Sequence, residues 1–207
     1  MIKAYVYFVC VFIAITVNAQ SCPDNNHPHA IDLGLSSGTK WSCCNIESKN
    51  PQDIGNYYSW GETEDKELYS KKNYDGSLGP FYSRVIHLNG GNHDVAHVVW
   101  GSPWQMPSLE QVNELINECS HQWSVVGGVN GMVFTGKNNN SIFLPAGGKR
   151  IDFSLNSKDS YGFYWSDTEY DRSTAYYIYF YDGNLGTSRG GMYIGHLVRP
   201  VQSENND

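Results

Sequence analysis

The chain has no Lys/Arg cluster, no internal repeat, no C-x-x-C pair and no cysteine after Cys119. With 14 basic side chains against 21 acidic ones, it has no basic surface on which to hold nucleic acid or an anionic membrane. The missing C-x-x-C spacing makes a structural zinc site a weak reading. Beyond residue 17 no stretch is apolar enough to cross a bilayer, so the chain past that point has no transmembrane segment. Charge is scarce as well: Asp, Glu, Lys and Arg make up only 17% of residues, while Phe, Trp and Tyr make up 14%, with 15 tyrosines. The surface must therefore carry tyrosine and asparagine where Lys and Glu usually stand.

The N-terminus has the three parts of an export signal. Lys3 supplies the positive charge, Ala4 to Val17 the apolar run, and Val17-Asn18-Ala19 the small-residue cut site. The apolar run of 14 residues falls short of the roughly 20 that a spanning helix needs. Residues 1–19 are read as a signal peptide, which makes the protein secreted or cell-surface. Cys22 follows a stretch that loosely resembles a lipoprotein box without its usual leucine, so Cys22 is a candidate lipid anchor. Removing the leader takes Lys3 with it and leaves 188 residues carrying 13 basic and 21 acidic side chains, a net charge of −8. Residues 20–28 read as a polar, proline-broken linker, 29–202 as one domain and 203–207 as a polar tail.

Two helices are expected. Asn92 to Trp100 places Val95, Val98 and Val99 on one stripe. Ser108 to Cys119 opens with a Ser108/Gln111 capping box and lines Leu109, Val112, Leu115, Ile116 and Cys119 along one face. Later segments read as short strands. Trp123–Val126 and Met132–Thr135 flank a loop at Gly127–Gly131, and a second turn at 136–140 leads to Ser141–Leu144. Tyr164–Ser166, Ala175–Tyr181 and His196–Pro200 follow. Two helices followed by an antiparallel meander is an α+β chain. Export permits disulfides. The four cysteines left once the leader takes Cys10 with it allow three pairings, and adjacent Cys43 and Cys44 pair only under strain, so either Cys43 or Cys44 is expected to reach Cys119.

Several segments together carry a resemblance. They are Ile31–Trp41 (IDLGLSSGTKW), Cys44-Asn45, Gly55–Thr63 (GNYYSWGET), Trp100–Pro107 (WGSPWQMP), Asn140–Gly148 (NSIFLPAGG), Gly162–Ser166 (GFYWS) and Val198–Val201 (VRPV). In this order, over about residues 29–202, they resemble the Fibrobacter succinogenes major paralogous domain, found in exported proteins of Bacteroidota. The resemblance implies a single C-type-lectin-like domain and, because cysteines stand at these places in the family, a Cys44–Cys119 disulfide. It leaves Cys22 and Cys43 to form an extra bridge or stay free. Gln105 departs from the family's usual arginine. The recurring Trp41, Trp60, Trp104, Trp123 and Trp165 are read as core.

No catalytic set is expected. A formylglycine-type oxidase needs cysteines later in the domain. Ser102 and Ser108 near His97 and His121 form no elbow or triad, and Glu62 with Glu64 has no defined facing geometry. His93 and His97, four apart with Asp94 and His87 nearby, are read as solvated imidazoles and not as a metal site. Asp167, Glu169, Asp171 and Asp182 fit no calcium-loop spacing, so calcium is left unassigned and no cofactor is expected. The strongest binding candidate is Ala175–Tyr181. Period-two alternation puts Tyr176, Ile178 and Phe180 on one face and Tyr177, Tyr179 and Tyr181 on the other, a tyrosine ladder with Arg189 supplied by a neighbouring loop. Such a face suits an extracellular glycan; the other reading of the strand is that loops bury it on both sides. The alternative is a protein-interaction or structural surface module that binds no sugar.

Overall fold

The computed structural model describes residues 26, 28–75, 87–88 and 90–202. The expected signal peptide, Cys22, most of the linker and the tail lie outside the described residues. In chain order the elements are β1 (Ala30–Asp32), β2 (Lys40–Ser42), α1 (Val95–Trp100), α2 (Leu109–Glu118), β3 (Ser120–Val126), β4 (Val129–Thr135) and β5 (Ser141–Pro145). They continue with β6 (Lys149–Ile151), β7 (Ser154–Asn156), β8 (Gly162–Asp171), β9 (Thr174–Tyr181), β10 (Asn184–Gly191) and β11 (Val201–Gln202). All ladders between these strands are antiparallel, so the chain is α+β.

Two three-stranded meanders, β3-β4-β5 and β8-β9-β10, form most of the sheet structure. A third sheet places β2 between β1 and β11, so the two ends of the domain pair with each other. α2 forms as its sequence dictates. The Ser108 side chain accepts from the Gln111 backbone N–H, the Gln111 side chain returns the bond, and Val112 and Leu115 are buried. α1 is shorter than expected, because Asp94 caps it and His93 precedes it. Val95 and Ala96 are its buried residues, whereas Val98 is 49% exposed, so the valine stripe is not a core face.

The β3–β4 connection is also tighter than expected. Gly127 and Gly128 both adopt positive φ (56° and 82°), the requirement of a two-residue primed hairpin turn, and Val129 to Gly131 join the strand. His196–Pro200 is no strand; it is held by single bridges to Tyr58 and Tyr164. Residues 182–191, read as loop, contain β10.

Two apolar clusters lie on opposite faces of β8-β9-β10. One joins Tyr164, Ile178 and Phe180 to Val112 and Leu115 of α2; the other joins Trp165 and Ala175 to Trp60, Val95 and Met106. Trp41, Trp60, Trp104 and Trp165 are buried as expected, but Trp123 is only partly buried and packs against the edge of the first cluster. Arg199 is fully buried, donating from Nε to Asn45 Oδ1 (2.8 Å), from Nη1 to the Ser42 carbonyl (3.0 Å) and from Nη2 to the Phe143 carbonyl (2.7 Å). It thereby ties three chain segments together. The Cys44–Cys119 disulfide is not formed. Cys44 Sγ lies 3.6 Å from the Ser48 carbonyl and 3.7 Å from Cys43 Sγ, while Cys119 ends α2 inside the first cluster. The two thiols are drawn to different surroundings, and burial pushes the Cys119 thiol up to about 11.

Candidate functional site

Register across β8-β9-β10 places Tyr177, Tyr179 and Tyr181 on one face, opposite Trp165 and Phe163 on β8 and opposite Ser188, Gly186 and Asn184 on β10. The alternation is as read from the sequence. The face is not uniform, because the second apolar cluster covers only one end of it. At that end Tyr177 stands edge-on to Trp165 (5.8 Å between centroids, 77°) and to His196 (4.6 Å, 87°). Towards the β9–β10 turn the face opens. Tyr161 stacks parallel to Phe163 (5.7 Å, 5°) and meets Tyr181 at 4.8 Å, and Lys149 Nζ sits 4.6 Å above the Phe163 ring. Asn184 Nδ2 donates to the Tyr181 hydroxyl at 2.9 Å. Tyr161, Tyr177, Tyr179 and Tyr181 are each half-buried, but Tyr177 packs on the second cluster, so the platform consists of the outer two rungs of the ladder plus Tyr161.

β10 explains how the rings lie. A Cβ on Gly186 would stand 3.2 Å from Tyr179 Oη, and one on Gly190 would stand 3.0 Å from Tyr177 Cε1. The rings lean over bare backbone, and a side chain at either glycine would push them aside.

Arg189 does not belong to this face. It pairs with Tyr176 in register, on the opposite side of the sheet, and its guanidinium lies 3.9 Å over the ring of Tyr170, which in turn meets Tyr176 edge-on at 5.4 Å. Reading residues 182–191 as a loop left its direction free, and pairing in β10 removes that freedom. Lys149, Tyr161 and Asn184 take its place beside the tyrosines. Sequence reasoning missed all three. The D-G step before Asn184 is the one signal in the sequence that would have placed a hairpin there.

Beneath Tyr177 sits His196, 1% exposed, stacked on Trp165 at 4.1 Å with neither ring nitrogen hydrogen-bonded. Burial, and secondarily the charge of Lys149, hold its pKa well below the ordinary histidine value.

Several of the other candidate polar groups have structural partners. His93 lies outside α1 with Nδ1 3.1 Å from the Gly61 carbonyl, so His93 and His97 do not share a helix face. His87 Nδ1 lies 3.1 Å from Asp167 Oδ1. Thr168 donates to that same carboxylate and accepts from the Leu109 N–H, so this group clamps β8 to the start of α2. Burial pushes the Asp167 carboxyl up. Asp171, the last residue of β8, and Asp182, in the β9–β10 turn, lie at opposite ends of β9, roughly 23 Å apart by strand rise. The carboxylates considered for calcium are therefore dispersed. Among the described residues no three His, Cys, Asp or Glu side chains converge on a metal position, and no helix is long and apolar enough to cross a membrane. Glu62 and Glu64 line a cleft of about 360 Å³ with Asp65 and Asp75, but Glu62 already pairs with Lys66 and accepts from the Asp75 N–H. Gly34–Gly38 reads G-x-S-x-G yet joins two strands, and Ser36 donates to Glu118; a nucleophile elbow needs a strand-to-helix turn.

Comparison with family profiles, curated proteins and solved structures finds no match to this chain. The family resemblance rests on its sequence motifs.

Proposed function

We propose that this chain is an exported, non-catalytic surface binding module that takes a glycan or another extracellular polymer. The observation that carries the reading is the open end of the tyrosine face. There, three half-exposed rings stand beside an ammonium and an amide. Aromatic planes take the apolar faces of pyranose rings, and flanking polar groups take the hydroxyls. The expected export signal and the resemblance to a lectin-like family support the same reading. One feature favours the alternative, a module that contacts protein: Phe153, in the β6–β7 turn, is 72% exposed.

A glycan array with the mature protein, with and without calcium, tests the proposal. Tyr179→Ala is expected to weaken the best ligand by about 1–2 kcal/mol, the cost of losing an interface aromatic, with little change in melting temperature. An empty array would sink the reading. So would a Tyr179→Ala protein that loses roughly 3–5 kcal/mol of stability, as truncation of a core aromatic does, while binding as before.

A further inference from the structure

The β9–β10 turn has a second side. Behind it lies a cleft of about 560 Å³ between α2, β3 and the turn. Alternation along β3 puts His121 and Trp123 on the same side of that strand, paired with Phe134 and Met132 of β4. Trp123 is held edge-on against Phe180 (6.5 Å, 65°), so its indole is braced by the core while the rest of the ring lines the cleft. Asp182, Asn184, His121 and Gln122 are its polar lining, and Ile116, Leu185 and Met132 its apolar lining beside Trp123. A braced aromatic plane, an exposed carboxylate, an amide and an apolar patch are the groups that bind one or two sugar rings. Among the described residues no lysine or arginine lines the cleft, and Asp182, the one carboxylate among them, repels acidic sugars. Asn184 belongs to both sides: it lines this cleft and donates to the Tyr181 hydroxyl of the tyrosine face.

We propose that the Trp123 cleft is a second saccharide subsite, selective for neutral sugars and continuous round the β9–β10 turn with the tyrosine face. The ligand is then an extended neutral oligosaccharide and not a single ring. This inference rests on the glycan-binding reading above and assigns Trp123 and Asp182 to it.

Calorimetric titration of the mature protein with triacetylchitotriose, cellotriose and trigalacturonate tests it. At least one neutral trisaccharide should bind, with trigalacturonate about tenfold weaker or worse. Trp123→Ala should weaken the neutral ligand roughly 10–30-fold. Asp182→Ala, at an exposed turn position, should weaken it about 3–10-fold at an unchanged unfolding midpoint, so the proposal does not depend on Trp123→Ala folding. If the neutral ligand binds both variants with wild-type affinity but is lost in Tyr179→Ala, the second subsite is overturned and the tyrosine platform stands. Loss in Trp123→Ala and Asp182→Ala with none in Tyr179→Ala supports the cleft as a saccharide site but overturns its continuity with the tyrosine face. If neither neutral trisaccharide binds the wild type, or trigalacturonate binds best, the inference is wrong.

Discussion

His196 offers the sharpest test of the structure, because a single proton is involved. Its ring is buried among Trp165, Tyr177 and Phe163 with both nitrogens unpartnered, so the imidazolium has neither water nor a hydrogen-bond acceptor. In the unfolded chain the same side chain titrates near about 6.5. Because the folded value is lowered, His196 costs nothing in protonation above that pH. As pH falls below it, the unfolded state takes up a proton that the folded state refuses. Stability then drops by about 1.4 kcal/mol per pH unit until the folded-state value is reached. Asp94 and Asp167, whose pKa values burial raises, contribute with the opposite sign at lower pH. They are common to wild type and variant, so they cancel in a difference. His196→Phe keeps the stacking and removes the titrating group. Urea denaturation between pH 7.5 and 5 should show the variant at least as stable as wild type at the upper end, and the gap widening in its favour by up to about 1.4 kcal/mol for each unit below about 6.5. Parallel curves over that range, or a variant more than about 2 kcal/mol weaker at pH 7.5, would refute the account of a neutral, unpartnered imidazole.

Three further outcomes follow from buried polar groups. Asp94 Oδ atoms accept from the backbone N–H groups of Gly90, Ala96, His97 and Met106, so Asp94→Ala removes a helix cap and orphans buried donors. The cost should be about 3–5 kcal/mol in urea denaturation, and a loss under about 1 kcal/mol would mean that water replaces the carboxylate. Arg199→Lys keeps the charge but not the fork that reaches Asn45, Ser42 and Phe143; a loss of about 2–4 kcal/mol is expected by the same measurement, and an unchanged midpoint would count against the fork. Cys119, buried and with its pKa pushed up to about 11, should be inert to Ellman's reagent in the native protein and react on denaturation. Rapid native labelling of Cys119, or a Cys44–Cys119 peptide under non-reducing digestion, would contradict its placement.

The sequence by itself determined the elements whose signals are local. The capping box of α2, the alternation of β9 and the turn at 136–140 depend on neighbours a few residues away, and each stands where the pattern puts it. The α+β class follows from counting such elements. Only the tertiary structure decided which side chains face one another. β10 was illegible because Gly186 and Gly190 carry no β-forming side chain; they are a strand because they pair in register with β9, and the Tyr179 and Tyr177 rings lie close over them. Arg189 left the tyrosine face, and Lys149, Tyr161 and Asn184 joined it, once pairing set the register of residues far apart in the chain. Trp123 was read as core from the family resemblance, but β3 lies at the edge of its sheet, and an edge position leaves a large ring half outside. Alternation is a property of the strand and survives any packing, whereas the choice of which face is covered belongs to the elements packed against it.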